Sequence, residues 1–183
     1  MELSSLYGPI TARVWQQLAQ TQLLICDVDG VLSDGLIYLG NAGEEYKTFN
    51  TKDGFGMRAL LNAGIEVAII TGRESRIVSD RMAALGVRHV YQGQSDKMHS
   101  YHTLLNTLHL SPQQVAYIGD DVVDLPVMLD CGLGVAVADA HPLVRQQAAY
   151  TTQLNGGYGA VRELCDLLLA ARGELEQAQG MSV

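Results

Sequence analysis

Short apolar runs alternate with segments of helical periodicity along most of the chain. The runs at residues 23–26, 67–70, 87–91, 115–118 and 134–137 have the length and composition of buried strands. Around them, apolar residues recur at helical spacing, as expected for helices that cover a sheet. This alternation is typical of a parallel sheet packed between helices. The sequence therefore predicts an α/β fold with a doubly wound, Rossmann-like parallel sheet.

One segment, at about residues 35–50, breaks the alternation. Its two extended stretches, 36–39 and 46–49, flank a Gly-Asn-Ala-Gly turn, which predicts a β-hairpin inserted after the first strand. The aromatic residues of this hairpin would pack either against a neighbouring subunit or on their own domain. The other intervals between strands are too short to hold a cap domain.

The chain length of 183 residues suits one domain, which we expect to span residues 1–183 with a mobile polar tail at about 173–183. A formal charge of -8 argues against a nucleic-acid surface. It still allows a small anionic substrate, because a few local cations can dominate a pocket. Three cysteines without paired or metal-type spacing, and no signal peptide or membrane-spanning run, predict a cytoplasmic protein with no membrane partner.

Polar residues capable of chemistry follow several of the predicted strands. In open parallel sheets, ligands bind outside the carboxyl ends of the strands. Four segments would therefore meet at one edge: Asp27 and Asp29 after the first strand, Thr71 and Gly72 after the second, Lys97 after the third, and Asp120 and Asp121 after the fourth. A single Asp in such a place is usually a helix cap or a turn residue. Chance rarely supplies all four segments in order.

Carboxylates gathered at one point repel one another unless a cation lies among them. Such oxygen ligands suit Mg²⁺, which would also neutralise a phosphate dianion. Asp27 can then attack phosphorus in line and form an acyl-phosphate that water later cleaves. Asp29 can protonate the leaving oxygen and then activate the water. Thr71 and Lys97 would hold the phosphoryl oxygens.

The same residues resemble, in order, the four motifs of the haloacid dehalogenase superfamily of phosphohydrolases. The motifs are Asp27-Val-Asp29-Gly30, Thr71-Gly72, Lys97 and Gly119-Asp120-Asp121-x-x-Asp124. The resemblance implies that Mg²⁺ is held by the Asp27 carboxylate, the Asp29 backbone carbonyl and the Asp120 carboxylate. It implies phosphate binding by Thr71, Gly72 and Lys97. Asp124 would lie near the metal or the substrate, or would equally serve as a helix N-cap before Pro126.

A second polar cluster predicts a substrate with another anion besides phosphate. The polar loop 50–54 leads into a helix, and helix N-termini favour anions. Lys52 adds charge there, and Arg58, Arg73 and Arg81 are good partners for a carboxylate. Taken singly, each arginine is an ordinary surface charge, so the prediction depends on their proximity to the acidic site.

Further segments resemble the uncapped 3-deoxy-D-manno-octulosonate (KDO) 8-phosphate phosphatases, namely residues 30–35, 49–54, 71–73 and 156–163. The resemblance implies hydrolysis of KDO 8-phosphate to the free sugar acid and phosphate, in lipopolysaccharide biosynthesis. It also implies a homotetramer in which hairpins, and the C-terminal tail as a further possibility, close neighbouring sites. The implied substrate-binding residues are Asp29, Asn50, Thr51, Lys52, Asp53, Gly54, Arg58, Arg73, Arg81, Lys97 and Asp121.

Three alternatives remain open from the sequence. The motifs do not separate an eight-carbon substrate from a nonulosonate 9-phosphate. A phospho-receiver domain also uses an acidic Mg²⁺ site, a Thr and a Lys, but it carries its phosphoacceptor after the third strand, where this chain has Tyr91-Gln92-Gly93. A catalytically silent, oligomer-forming domain would not need the complete set of acids and Lys97.

Overall fold

The computed structural model describes residues 2–180, and its strands and helices have the following bounds. The strands are β1 Glu2–Ser5, β2 Gly8–Thr11, β3 Leu23–Cys26, β4 Tyr38–Leu39, β5 Glu45–Tyr46, β6 Glu66–Ile70, β7 His89–Tyr91, β8 Val115–Gly119, β9 Leu133–Ala136 and β10 Tyr150–Thr151. The helices are α1 Ala12–Gln20, α2 Thr51–Asn62, α3 Arg76–Leu85, α4 Lys97–Leu108, α5 Leu125–Asp130, α6 Pro142–Gln147 and α7 Ala160–Ala171. Short 3₁₀ helices occupy Pro112–Gln114, Val122–Asp124 and Leu175–Gln177.

Six parallel strands form the central sheet in the order β10-β9-β8-β3-β6-β7. The chain enters at β3, builds outward through β6 and β7, and then returns to the other side of β3 for β8, β9 and β10. The connections that follow β3 and β8 therefore run in opposite directions along the sheet. The gap between these two strands is a topological switch point, where open α/β sheets bind ligands. We call the side where β3, β6 and β8 end the carboxyl edge.

The central strands have nearly continuous apolar sequences because they are buried on both faces of the sheet. Every residue of β3, β8 and β9 is buried, as expected for parallel strands covered by helices on both sides. The helix α7 packs against α1 and α2, and α4 packs against α5. The α/β prediction is thus confirmed, and no cap domain covers the carboxyl edge in the described part of the chain.

Strand β3 has the predicted bounds, and the other four predicted strands are shifted at one or both ends by one or two residues. The sequence analysis missed the edge strand β10 and the β1–β2 hairpin. Ile10 has helical spacing with Val14 and Leu18, which predicts that it belongs to the first helix, but it lies in β2 and is buried there. Helix α1 begins only after Thr11, whose hydroxyl accepts a hydrogen bond from the Val14 N–H and caps the helix.

The predicted inserted hairpin is present as the antiparallel pair β4–β5, with Tyr38 opposite Tyr46. Both strands are two residues long, shorter than the predicted stretches. Within residues 2–180, no helix has the length and apolar character needed to cross a bilayer. In the tail, Leu175 and Ala178 pack on the core. Its mobility stays a prediction, and residues 181–183 lie outside the described residues.

Candidate active site

The loop after β3 turns tightly and places Asp27 at the end of the strand with a buried side chain. Its N–H donates to the Ile118 carbonyl, so the residue continues the pairing of β3 with β8. The N–H groups of Val31, Leu32 and Ser33 all converge on the Val28 carbonyl, which closes the turn. The sequence therefore fixes Asp27 to a rigid sheet rather than to a mobile loop.

Lys97 connects the loops that follow β3 and β8. It is the first residue of α4, which Asp96 caps by accepting from the Met98 N–H. Its ammonium donates to Asp27 Oδ1 at 2.8 Å and to Asp124 Oδ1 at 2.7 Å. Burial alone would lower the Lys97 pKa, but the two carboxylates outweigh burial and raise it. Lys97 is therefore a fixed cation at the carboxyl edge.

Asp124 is a fully buried carboxylate whose two oxygens are both engaged. Besides Lys97, Oδ1 accepts from the Tyr117 hydroxyl at 2.6 Å. Oδ2 accepts from the backbone N–H groups of Asp120 and Asp121 at 3.0 and 3.1 Å. Asp124 occupies the N-cap position of α5, as the helix N-cap alternative expects, but its side chain makes no cap hydrogen bond to that helix. Asp124 instead orients Lys97 and shapes the loop that carries Asp120.

The carboxylates of Asp27, Asp120 and Asp124 offer oxygens that all lie within 4.8 Å of one another. Because Asp124 is engaged by donors, Asp27 and Asp120 are the two suited to a shared cation. Gly30 makes room for this approach: a Cβ there would lie 2.1 Å from Asp120 Oδ2, and its φ of 89° also favours glycine. Two close carboxylates on rigid loops fit a hard divalent ion.

The acids of this cluster are raised in pKa because they are buried together. Burial, opposed by Lys97, raises the pKa of Asp27 to about 6. Burial and the nearby charges of Asp27, Asp124 and Asp121 raise the pKa of Asp120 to about 8. A cation bound among these acids would favour the ionised form of each.

A cavity of about 290 Å³ opens at the carboxyl edge over this cluster. It brings together predicted residues from all four motif segments. They are Asp27, Asp29, Thr71, Gly72, Arg73, Lys97, Asp120 and Asp121. Gln94, Ser95 and Val123 also line the cavity and were not predicted.

The remaining predicted substrate residues do not line this cavity in the single chain. Asn50 caps α2 by accepting from the Lys52 N–H, and its amide donates to the Gly157 carbonyl. Thr51 and Lys52 are exposed on the first turn of that helix.

Buried Asp53 accepts from the Arg162 N–H at 2.8 Å and so anchors the first turn of α7. Arg58 donates to the Leu85 carbonyl at the end of α3. A Cβ on Gly54 would lie 2.5 Å from Arg81, so this arginine packs against α2. Substrate binding by residues 50–54, Arg58 and Arg81 stays a prediction.

Comparison with known proteins agrees with this geometry. Residues 84–164 match the family described as haloacid dehalogenase-like hydrolase. The KDO 8-phosphate phosphatase KdsC of Yersinia pestis is 58% identical over 181 residues, which cover 99% of this chain and 97% of that protein. This chain belongs to that phosphatase family, within the haloacid dehalogenase superfamily. The phospho-receiver and silent-domain alternatives are therefore wrong.

Solved structures of the family have the same fold. The Yersinia pestis KDO 8-phosphate phosphatase has a TM-score of 0.98 at 57% identity, over 100% of this chain and 99% of that chain. The Moraxella catarrhalis phosphatase, in complex with a magnesium ion, a phosphate ion and a KDO molecule, has a TM-score of 0.88 at 40% identity. That match covers 90% of this chain and 94% of the other. The chain is thus a phosphoric monoester hydrolase of this family.

Sequence reasoning about this phosphatase missed Lys47, the residue directly after β5. Its ammonium lies 2.8 Å from Asp29 Oδ1 and 3.6 Å from Glu45 Oε1. The exposed neighbour Arg73 approaches both of those acids, at 3.9 and 3.5 Å. The nearby Phe49 packs on the core, which indicates that this stretch turns inward but not that Lys47 reaches Asp29.

Proposed function

We propose that this phosphatase hydrolyses KDO 8-phosphate to KDO and inorganic phosphate in lipopolysaccharide biosynthesis. The observation that carries the substrate is the likeness over nearly the whole chain to KDO 8-phosphate phosphatases. The observation that carries the chemistry is the Asp27–Lys97–Asp124 arrangement beside Asp120. A cavity lined by both Lys97 and Arg73 also suits a substrate that is both a phosphate ester and a carboxylic acid.

The proposed cofactor is Mg²⁺, held by the Asp27 and Asp120 carboxylates and the Asp29 backbone carbonyl. When bound, it would neutralise the phosphate and lower the repulsion between the acids. The carboxylate oxygens of Asp27 and Asp120, which lie within 4.8 Å of each other, support this assignment. The magnesium described for the Moraxella catarrhalis relative supports it further.

Asp27 is the proposed nucleophile, and it forms an aspartyl-phosphate as the sugar alcohol leaves. Lys97 keeps this carboxylate ionised and lies in the cavity, where it can meet a phosphoryl oxygen. Thr71 and Gly72 line the same cavity and would bind the phosphate. Asp29 would give a proton to the departing oxygen, and the same carboxylate would then take one from the attacking water. Water attack releases inorganic phosphate and restores Asp27.

We further propose that the protein acts as a homotetramer in the cytoplasm. The hairpin supports self-association, because its apolar side chains are more than half exposed: Leu36, Tyr38, Leu39 and Tyr46. All three cysteines are unpaired and buried, as suits a reducing compartment. Residues 50–54, Arg58 and Arg81 would take part in substrate binding only if the assembled or ligand-bound protein brings them to a site.

The decisive test is phosphate release, with Mg²⁺, from KDO 8-phosphate, a nonulosonate 9-phosphate, arabinose 5-phosphate and 4-nitrophenyl phosphate. We expect a strong preference for KDO 8-phosphate and near-complete loss of turnover in a folded Asp27→Asn variant. A preference for the nine-carbon acid would keep the mechanism and change the substrate. Full activity of Asp27→Asn would refute the nucleophile, and an inactive wild type with metal present would refute the proposed function.

A further inference from the structure

The hairpin supplies a buried ammonium to one oxygen of Asp29. The Lys47 side chain has no exposed surface, and its nitrogen lies 2.8 Å from Asp29 Oδ1. Asp29 lines the active-site cavity, whereas Lys47 does not. Lys47 is therefore screened from a ligand in the cavity by the carboxylate that it contacts.

Burying the charge of a lysine in this way costs desolvation free energy, which only close anions can offset. Its partners among the described residues are Asp29 and, at 3.6 Å, Glu45. The second oxygen of Asp29 has only a long contact, 3.9 Å to the Arg73 Nε. The carboxylate is thus tethered through Oδ1, and Oδ2 keeps most of its capacity for another partner.

Without Lys47, the surroundings of Asp29 would favour a different orientation. Asp27 and Asp120 lie in the same cavity and carry like charge, while exposed Arg73 would become the strongest remaining cation beside Asp29. Both influences would draw the carboxylate toward Arg73 and away from a fixed place over the reacting group. Lys97 fixes Asp27, and Lys47 has the corresponding position beside Asp29.

We propose that Lys47 is a positioning residue that acts through Asp29: it holds this side chain where the protonated acid gives its proton to the leaving alcohol and the resulting carboxylate then takes one from the attacking water. This inference rests on the proposed function. The competing interpretation is that Lys47 only attaches the hairpin to the domain. The two interpretations differ in which reactions suffer, because only an alkyl ester with a poor leaving group needs the proton, whereas 4-nitrophenolate leaves without it.

The test measures kcat/KM, which reports steps up to departure of the alcohol, for KDO 8-phosphate and 4-nitrophenyl phosphate. In Lys47→Met, we expect a loss of about tenfold or more on the alkyl ester and about threefold or less on the aryl ester, since general acid catalysis contributes about 10²–10⁴-fold. Lys47→Arg, which keeps a cation, should recover part of the alkyl activity. Glu44→Ala alters the exposed hairpin turn without touching Asp29 and should leave both values unchanged.

A double-mutant cycle then asks whether Lys47 acts through Asp29. Adding Lys47→Met to Asp29→Asn should lower alkyl kcat/KM little further, because the group that Lys47 positions is already lost. Parallel losses on both esters, or losses that multiply in the double variant, would overturn the inference. Lys47→Gln is measured beside Lys47→Met, so that one misfolded variant does not decide the result. An inactive wild type would instead overturn the proposed function, and this inference with it.

Discussion

Lys97 Nζ donates a 2.7 Å hydrogen bond to Asp124, a carboxylate with no exposed surface. Asp124 also accepts from Tyr117, which lies in β8 and brings the same charge network into the core of the sheet. The Lys97 ammonium that contacts Asp27 is therefore also bound by a second, buried acid, Asp124. One ammonium between two carboxylates leaves a negative surplus, which Asp120 increases when it is ionised.

Asp124→Asn should lower kcat/KM by about 10–100-fold and the free energy of unfolding by about 1–3 kcal/mol, because it removes a buried charged acceptor. Lys97 would then interact with Asp27 alone and partly neutralise the nucleophile. Steady-state kinetics and urea denaturation measure the two effects. Asp80→Asn is the matched control, since its pair with Arg76 is exposed, and it should change neither quantity. Equal kinetics for the two variants would refute the orienting role of Asp124.

Gly30→Ala should abolish most Mg²⁺-dependent activity because its Cβ would displace the Asp120 carboxylate, 2.1 Å away. The positive φ adds strain of about 1 kcal/mol to any such substitution. Gly64→Ala isolates that strain, since Gly64 has a φ of 79° and nothing within 4 Å of an added Cβ. We expect similar losses of Tm in both variants, but a weakened Mg²⁺ titration only in Gly30→Ala. Normal metal binding by Gly30→Ala would show that Asp120 is not a ligand.

The sequence placed candidate residues in one cavity where each of them follows a strand. The carboxyl edge of a parallel sheet gathers such residues, so Asp27, Thr71 and Asp120 could be placed together before the structure was known. Lys47 is different, since its link to Asp29 depends on how the hairpin folds back over the domain. No local pattern encodes that distance. The role of Asp124 was left open for a related reason, because a cap and a buried acceptor occupy the same position in the sequence.

The predicted substrate-binding residues show a second limit of sequence reasoning. Asn50 and Asp53 have residue types that suit anion or sugar binding, yet in this chain they cap α2 and anchor α7. Helix periodicity also did not indicate that Arg58 would reach the end of α3. Strand β10 was missed because it has only two residues, at the edge of the sheet, with no apolar run.

Mg²⁺ should stabilise the protein more at pH 8 than at pH 5.5. The pKa values of about 6 for Asp27 and about 8 for Asp120 lie above the ordinary value of about 3.9. The metal-free folded state therefore retains protons that the unfolded chain has lost. Its stability is full below the ordinary pKa and falls as the pH rises toward 8. Mg²⁺ binds the ionised acids and opposes that fall.

Differential scanning fluorimetry with and without saturating Mg²⁺ measures this prediction. The difference in Tm should grow from pH 5.5 to pH 8, and Asp120→Asn should remove most of that growth. An equal Mg²⁺ effect at both pH values would mean that the metal does not bind through these two acids.

The exposed hairpin should control the oligomeric state. Tyr38 and Tyr46 are paired across β4 and β5, whereas Leu39, which is 75% exposed, pairs with Glu45 on the other face, so the hairpin presents exposed apolar side chains on both faces. Leu39→Glu should shift the protein to smaller species by placing a charge in the proposed interface. Leu6→Glu is the matched control, because Leu6 is 77% exposed at the turn of the other hairpin. Light scattering after size exclusion should find a reduced mass only for Leu39→Glu; equal masses would place the self-association surface elsewhere.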